Sequence, residues 1–212
     1  MILENRYFYF VGELPHKFCD EVLEYGKSQN DEKALIGDIS VDRDITKKPL
    51  TKKELKSLHK KRKSNVVWMN EPWVKREIFP FIRYANTAAK WNFDWDYSEA
   101  CQFTKYQKGQ FYDWHADSWD KPYDHPGKGS HGKIRKLSVT VSLNDGSEYE
   151  GGELELDLRN KEPGKKTAVT CKEILPKGSV VVFPSFIWHR VKPVTKGTRY
   201  SLVMWNLGYP FR

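Results

Sequence analysis

Eight short β-type runs occupy the second half of the chain and restrict the folds that it can adopt. The residues between them are rich in Gly, Pro, Asn and Asp, which favour turns over long helices. Short strands at close spacing with turns between them are typical of a β-sandwich or barrel. We therefore predict a double-stranded β-helix core of the jelly-roll, cupin-like kind over residues 100–208. The runs cover 100–106, 111–115, 135–143, 153–158, 167–175, 179–183, 187–192 and 198–206.

The first 99 residues show a helical pattern instead. After a predicted strand at Arg6–Val11, apolar residues at helical spacing predict a helix over Pro15–Tyr25, and a second helix is predicted over Pro72–Trp91. The sequence shows no linker or internal repeat. We therefore expect a mainly β protein with flanking helices, in which the helix-rich N-terminal residues 1–99 pack on one sheet and residues 1–212 form one domain.

Two histidines and an aspartate within the β runs have the spacing of a metal site. His115 and Asp117 are two residues apart, so on an extended segment both side chains point to the same side. His189 lies on a later β segment of the same predicted sheet or barrel. Two imidazoles and one carboxylate can occupy one face of an Fe(II) octahedron and leave the other face open. Because ligand imidazoles must be neutral, we expect iron affinity to fall as the pH drops past the histidine pKa of ~6.5.

A second pair of residues suits a carboxylate. Arg199 and Ser201 are also two residues apart in a β-type run, so they would share one face of a strand. An arginine fork makes two parallel charge-assisted hydrogen bonds to a carboxylate, and a neighbouring hydroxyl can add a third. The pair therefore predicts a site for the far end of a small dicarboxylic acid whose near end chelates the metal.

The order and spacing of these residues resemble those of the 2-oxoglutarate- and Fe(II)-dependent dioxygenases, and within them the prolyl 4-hydroxylase-like branch. The resemblance covers about half of the chain, from Ala100 to Gly208. The stretches that carry it are Tyr106–Asp117, Lys136–Leu143, Glu150–Leu154, Pro176–Pro184, His189–Val191 and Arg199–Ser201.

The resemblance implies a role for each matched residue. His115, Asp117 and His189 would bind iron, and Arg199 would hold the distal carboxylate of 2-oxoglutarate. The collagen-type enzymes of this family carry a lysine at the position of Arg199, so this sequence is more similar to the bacterial, viral and oxygen-sensing members. That difference weakens the inference that a collagen-like peptide is the substrate.

Further implications of the resemblance concern the co-substrate and the reaction. Tyr106 would hydrogen-bond 2-oxoglutarate, Ser201 would assist, and Trp205 would form part of the wall near it. The implied cofactors are Fe(II), 2-oxoglutarate and O2, with ascorbate as a supporting reductant. The implied reaction hydroxylates a substrate C–H bond, with a peptidyl proline as the leading substrate, and releases succinate and CO2.

The segment from Ser118 to Ile134 directly follows Asp117 and is our first candidate for substrate contact and for a lid. Aromatic residues there and beside the ligand positions would line a cleft, although burial alone could explain any one of them. The candidate substrate contacts are Trp114, Trp119, Tyr123 and Trp188.

Other polar residues near the ligand positions keep two interpretations each. Asp113 would share the face of His115 on a regular strand and orient a ligand, or it is a surface carboxylate. His125 and His131 are expected to be exposed loop histidines, with a zinc site as the second interpretation.

A strand with alternating character also has two interpretations. Small polar residues alternate with apolar ones, so one face of the strand is apolar and the other polar. The polar face either lines the barrel interior and leaves room for a ligand or faces water. Its members are Ser138, Thr140 and Ser142.

The net charge of +8 comes from one segment, Thr46–Lys63, which holds nine Lys and Arg residues and Glu54 as its one acid. Such a run is typical of a solvated helix or loop, and it could also contact nucleic acid, a ribosome or an acidic protein substrate. Aromatic residues that would stack on bases are absent from it. Nucleic-acid binding through Lys47–Lys63 is therefore not favoured.

The sequence does not have the features of a disulfide-rich, secreted or membrane-spanning protein. Three cysteines without CxxC spacing make a poor disulfide framework. The N-terminus lacks the pattern of a secretory signal, and no apolar run approaches the roughly 20 residues of a membrane span. We therefore expect a cytoplasmic protein without a membrane partner.

Three alternatives to a prolyl hydroxylase stay open. The first is an oxygenase that demethylates nucleic acid; such enzymes of this superfamily usually carry another arginine six residues after the carboxylate-binding one, and here that position is Trp205. A small-molecule oxygenase and a non-catalytic jelly-roll binding module are the other two.

Overall fold

The computed structural model describes residues 3–34, 51–158 and 167–211. Three helices precede most of the β structure in these ranges: α1 (His16–Ser28), α2 (Lys52–Lys61) and α3 (Pro72–Ala88). Short 3-10 turns lie at Gly146–Glu148 and Lys172–Ile174. The strands are β1 (Phe8–Phe10), β2 (Glu32–Lys33), β3 (Arg62–Lys63), β4 (Asn65–Met69), β5 (Tyr97–Ser98), β6 (Cys101–Gln107), β7 (Phe111–His115), β8 (Ile134–Ser142), β9 (Tyr149–Gly151), β10 (Leu154–Asp157), β11 (Ala168–Thr170), β12 (Val180–Pro184), β13 (Trp188–Val191) and β14 (Val194–Gly208).

Two antiparallel sheets form the core. The larger has the order β1-β12-β8-β14-β6-β4-β2, with β5 and β9 paired to β14. The smaller has the order β11-β10-β13-β7-β3. Apart from β10 and β11, neighbouring strands in the sheets are not consecutive in sequence, as in the predicted double-stranded β-helix, and the predicted mainly β fold class is confirmed.

Helices α1 and α3 pack on the larger sheet, as expected, whereas α2 lies against β3 and β7 of the smaller sheet. The buried face of α3 repeats at helical spacing through Val74, Ile78 and Ile82, each with no exposed surface. This face belongs to one apolar cluster with Val139 of β8 and Leu202 of β14. The helix ends at Ala88, earlier than predicted, because the chain turns through positive φ angles at Lys90 and Asn92. The other face of this sheet is thereby left for the interior of the fold.

Several strands of the N-terminal region were not predicted from the sequence. β4 pairs with β6 along five residues, and β3 pairs with β7 in the smaller sheet. The Val-Val-Trp-Met run of β4 is a strand signal, but it directly follows the basic segment that dominated the local pattern. The predicted run 167–175 is shorter than expected, since β11 ends at Thr170 and a 3-10 turn follows.

The basic segment is partly helical. Helix α2 begins with a capping box, in which the Thr51 hydroxyl accepts the Glu54 N–H and the Glu54 carboxylate accepts the Thr51 N–H. Residues 46–50 lie outside the described ranges. Leu58 is buried beneath the helix, and Arg62, which the sequence placed in a solvated run, is only 4% exposed.

All three cysteines are free and buried, in agreement with the absence of a disulfide framework. Burial raises the pKa of Cys19 to about 11 and those of Cys101 and Cys171 to about 12. Among the helices of the described ranges, none combines the length and apolar character required to cross a membrane.

Candidate metal and co-substrate site

The three predicted metal ligands meet at one end of the smaller sheet. His115 ends β7 and is paired directly with His189 of β13, so the two rings lie 4.1 Å apart between centroids. Asp117 follows two residues later and its N–H donates to the Ser185 carbonyl at 2.8 Å. The Asp117 carboxylate oxygens lie 3.6 Å from Nε2 of His115 and 3.5 Å from Nε2 of His189. All three donor atoms lie within 4.8 Å of one another, close enough to hold a single metal ion.

The hydrogen bonds of the two imidazoles decide which nitrogen is free. Nδ1 of His115 lies 2.8 Å from the Asp113 carbonyl, and Nδ1 of His189 lies 2.9 Å from the Ile187 carbonyl. A carbonyl oxygen can only accept, so each Nδ1 carries the proton. Each Nε2 therefore directs a lone pair at the cluster, which is the tautomer that a metal ligand needs.

Burial and charge favour a neutral imidazole beside an ionised carboxylate. Burial, and next the neighbouring His189, lower the pKa of His115 well below its ordinary value. Burial alone would raise the pKa of Asp117, but His189, His115, Arg135 and a hydrogen bond from Ser138 hold it at about 2. His115 therefore gains a proton at a lower pH than the ordinary histidine pKa of ~6.5 would indicate.

A serine of β8 orients the carboxylate. The Ser138 hydroxyl donates to Oδ2 of Asp117 at 2.7 Å and lies 2.9 Å from the Ser185 hydroxyl. Thr140 also lines the cavity beside the triad, whereas Ser142 bonds the Asn144 carbonyl. The polar face of this strand therefore faces the interior, which decides between the two interpretations left open by the sequence.

A β-bulge in β7 decides between the two interpretations of Asp113, in favour of a surface carboxylate. His189 pairs with His115, but Val191 pairs with Tyr112, so β7 has one residue more than β13 between these pairs. The extra residue brings Tyr112 to the face of His115 and turns Asp113 outward. The Asp113 carboxylate is exposed and accepts the Trp114 N–H at 2.8 Å, while only its backbone carbonyl supports the ligand.

A cavity of about 660 Å³ lies between the sheets and is lined by the triad and by Arg199. Arg199 is 1% exposed and is among the largest fully buried side chains of the protein. Its Nη1 donates to the Ser201 hydroxyl at 3.1 Å, and its Nη2 has no partner within the described ranges. Tyr106 is its direct partner on β6, with the guanidinium carbon 5.6 Å from the ring centre.

The residues present fit Fe(II) and 2-oxoglutarate. A buried guanidinium without an acid is unfavourable until a carboxylate pairs with it. The buried Nε1 of Trp205 is a second donor without a partner among the residues described, and it lines the same cavity. Two histidines with free Nε2 atoms and one carboxylate are a suitable ligand set for Fe(II) at the other end.

A partly buried ion pair that was not predicted from the sequence forms another section of the wall; its two side chains are 13% and 17% exposed. Arg135 bonds both oxygens of Glu99, at 3.1 and 2.5 Å, and its guanidinium lies 3.9 Å from the ring centre of Trp205. Burial lowers the pKa of Arg135, but Glu99 and its other anionic neighbours outweigh this and raise it. A second register shift, between β8 and β14 at Lys136, changes the strand alternation next to Arg135. A regular period of two residues could not have predicted this orientation.

The predicted aromatic substrate contacts share the same cavity. Trp119 is 38% exposed and meets the Tyr123 ring at 5.8 Å, and Arg190 lies over Trp114 at 4.7 Å. The side chains that line the cavity include Trp114, Trp119, Tyr123 and Trp188.

The loop of residues 118–134 is closed by two backbone hydrogen bonds between Tyr123 and the region of Gly132 and Lys133, each 2.9 Å. His125 lines the cavity, and His131 lies 3.7 Å from Asp124. Neither histidine belongs to a metal-compatible group among the residues described. The positions therefore give no support to the zinc interpretation.

Comparisons with known proteins agree with this geometry. A model of the 2OG-Fe(II) oxygenase superfamily matches residues 101–206. A PKHD-type hydroxylase of Thermosynechococcus vestitus is 37% identical over 103 residues, which are 49% of this chain and 40% of that protein. The chain thus spans about two-fifths of the length of this curated relative.

Solved structures share the fold over nearly the whole chain. A Pseudomonas putida prolyl-4-hydroxylase covers 96% of this chain and 93% of its own, with a TM-score of 0.65 and 18% identity. A prolyl hydroxylase in complex with a hypoxia inducible factor oxygen degradation domain peptide fragment, from Trichoplax adhaerens, covers 96% and 84%, with a TM-score of 0.60 and 18% identity. The chain belongs to the 2OG-Fe(II) oxygenase superfamily and has the double-stranded β-helix fold of its prolyl 4-hydroxylase-like members.

Proposed function

We propose that this protein is an Fe(II)- and 2-oxoglutarate-dependent dioxygenase that hydroxylates a C–H bond of a peptidyl proline and releases succinate and CO2. The observation that carries the proposal is the pairing of two features in one cavity. One is a His-Asp-His group with donor atoms within 4.8 Å of one another, and the other is the buried Arg199, which has no acidic partner in the described chain.

In this proposal His115, Asp117 and His189 hold Fe(II) through Nε2, a carboxylate oxygen and Nε2. Their backbone and Ser138 hydrogen bonds fix the rings and the carboxylate before the metal binds, so little side-chain freedom is lost on binding. When bound, Fe(II) with 2-oxoglutarate and O2 supplies the oxidising chemistry, while the protein supplies placement and a cavity with restricted access to water.

Arg199 and Ser201 would bind the distal carboxylate of 2-oxoglutarate. The free Nη2 of Arg199 gives one charge-assisted hydrogen bond, and the Ser201 hydroxyl is already held next to Nη1. Tyr106 would add a hydrogen bond from the facing strand, and Trp205 would close the wall. Ascorbate is proposed only as a supporting reductant.

A peptide substrate is supported by the similar prolyl hydroxylase from Trichoplax adhaerens, whose structure is a complex with a peptide fragment, and by the aromatic residues at the cavity. In this proposal Trp114, Trp119, Tyr123 and Trp188 contact the peptide, and the loop 118–134 helps to select it. We also propose that residues 1–212 act as one catalytic domain, since β4 of the N-terminal region pairs with β6 of the matched region.

The test is succinate formation from 2-oxoglutarate and Fe(II), measured with and without proline-containing peptides. We expect succinate to form faster with a peptide substrate and the peptide to gain one oxygen atom by mass spectrometry. Asp117→Ala should abolish both. Succinate formation by Asp117→Ala at the wild-type rate would contradict the proposed site.

An oxygenase acting on nucleic acid is the second candidate. Helix α2 presents Lys53, Lys56 and Lys60 to solvent, and Lys61 at its end lines the cavity. The same assay with methylated oligonucleotides in place of peptides distinguishes the two candidates, and stimulation by oligonucleotides alone would favour the second.

A further inference from the structure

Three flat side chains form a continuous stack behind one proposed metal ligand. The ring of Tyr112 lies parallel to the imidazole of His115, with 3.5 Å between centroids and 11° between planes. On Tyr112 also lies the guanidinium of Arg62, 4.4 Å from the ring centre. The stack therefore runs from the basic segment to the triad.

Strand pairing explains why these residues meet. Arg62 of β3 and Tyr112 of β7 are direct cross-strand partners. The bulge in β7 then puts Tyr112 and His115, which are three residues apart, on the same face. On a regular strand, residues three apart point to opposite faces, so the stack depends on the bulge.

The guanidinium of Arg62 is itself held in place. Its Nε donates to the Ser64 hydroxyl at 3.0 Å and its Nη2 donates to Oε1 of Gln102 on β6 at 2.7 Å. Arg62 is 4% exposed, so its contact with Tyr112 is largely shielded from water and from salt. The Tyr112 ring is thus confined between a fixed cation and the imidazole.

We propose that Arg62 is a positioning residue for the metal site, acting through Tyr112 on the orientation of the His115 ring. The hydrogen bond from Nδ1 to the Asp113 carbonyl holds one edge of the imidazole, and rotation about that edge is limited by the ring packed on its face. Arg62 lies outside the region 101–206 that matches the family model, so the N-terminal region contributes to the site. This inference rests on the proposed iron site.

The test measures metal affinity without turnover. Mn(II), a spectroscopic substitute for Fe(II), is titrated into the protein, and free Mn(II) is followed by electron paramagnetic resonance. Loss of a partner behind a metal ligand typically weakens metal binding by about tenfold or more. We expect Arg62→Met and Tyr112→Leu each to raise the Mn(II) Kd about tenfold. Arg62→Lys and Tyr112→Phe, which keep the cation and the ring, should stay within about threefold of wild type.

A matched control comes from Arg190 of the same sheet. Arg190 lies over Trp114 and pairs with Glu155, and it is adjacent in sequence to His189, but its guanidinium stacks on no ligand ring. Arg190→Met should leave the Mn(II) Kd unchanged. The double variant Arg62→Met/Tyr112→Leu should have a Mn(II) Kd no higher than that of the single variant with the higher Kd, because Arg62 and Tyr112 act through the same contact with His115.

Folding of each variant is checked by circular dichroism and thermal unfolding. If Arg62→Met does not fold, Arg62→Gln, which keeps a polar side chain but removes the cation, takes its place, and it should also raise the Mn(II) Kd. A wild-type Kd in Arg62→Met or its replacement, or equal weakening in Arg190→Met, would overturn the inference. If the wild-type protein binds no more Mn(II) than Asp117→Ala, the proposed iron site itself fails.

Discussion

Two arginines lie in the wall of the same cavity, Arg135 partly buried and Arg199 fully buried, but they differ in their partners. Arg135 is held by both oxygens of Glu99 and lies on the Trp205 ring, whereas Arg199 contacts the Ser201 hydroxyl and keeps an unpaired Nη2 within the described structure. The Arg135–Glu99 ion pair is complete and shapes the wall. A buried cation without an acid is unfavourable until an anion pairs with it, so the difference supports the proposal that a carboxylate binds at the Arg199 end of the cavity.

Removal of the paired arginine, Arg135, should have the largest effect, and it should lower the free energy of unfolding. Arg135→Met leaves the Glu99 carboxylate, which is 17% exposed, without its cation, and we expect a cost of about 3 kcal/mol of unfolding free energy, the lower end of the range for a buried pair. Urea unfolding of the protein without metal measures this loss. Arg135→Met/Glu99→Gln should recover some of it, and full stability of Arg135→Met alone would contradict the assigned pair.

Removing the unpaired arginine should instead affect the co-substrate. Arg199→Leu removes a charge-assisted hydrogen bond made only to 2-oxoglutarate, so we expect its KM to rise by roughly a hundredfold or more. The Mn(II) Kd should change far less, and the unfolding free energy without ligand should not fall as in Arg135→Met. Equal effects on metal and 2-oxoglutarate would argue against the role given to Arg199.

Stabilisation of the folded protein by 2-oxoglutarate should depend on Arg199 in the same way, with a smaller effect that is measured at equilibrium. In the presence of Mn(II), 2-oxoglutarate at about 100 times its Kd should stabilise the wild-type protein by roughly 2.7 kcal/mol, seen as a higher Tm. Arg199→Leu should lose most of this increase at the same concentration. Ser201→Ala should keep more of it, because the guanidinium remains; the reverse order would require a different carboxylate site.

The smallest expected effect concerns the pH dependence of stability at the histidine end of the cavity, away from Arg199. The pKa of His115 in the folded protein lies well below the ~6.5 of the unfolded chain, so on acidification the unfolded state takes up the proton first. Stability of the metal-free protein should therefore fall below about pH 6.5, by at most about 1.4 kcal/mol per pH unit from this group. Tm values at pH 7.5 and 5.5 measure it. His115→Gln should reduce the difference, and an unchanged difference would assign it to other groups.

Much of the site could be predicted because it depends on residue type and on short spacing. Imidazoles, a carboxylate and an arginine have few chemical substitutes in their proposed roles, and their order within β runs resembled one family. Arg199 and Ser201 meet because β14 keeps the alternation of two residues at that point. Asp117 lies near His115 and His189 although it follows the end of β7.

The features that the sequence left open or did not predict lie where the strands depart from alternation and where a short strand is buried. The β7 bulge turned Asp113 outward and placed Tyr112 on the ligand face, and the register shift at Lys136 accompanies the inward Arg135. Arg62 was assigned to a solvated run because its neighbours are lysines, but pairing of β3 with β7 buries it. A bulge and a two-residue strand leave almost no pattern in the sequence.

By itself the sequence determined the fold class, the three residues proposed as metal ligands and the arginine proposed to bind a carboxylate, because periodicity and side-chain chemistry are local properties. Only the tertiary structure decided which imidazole nitrogen is free, that Arg135 is paired while Arg199 is not, and that Arg62 lies behind Tyr112. These features depend on strand partners far apart along the chain and on burial, which turns the presence or absence of one carboxylate into a large free-energy difference.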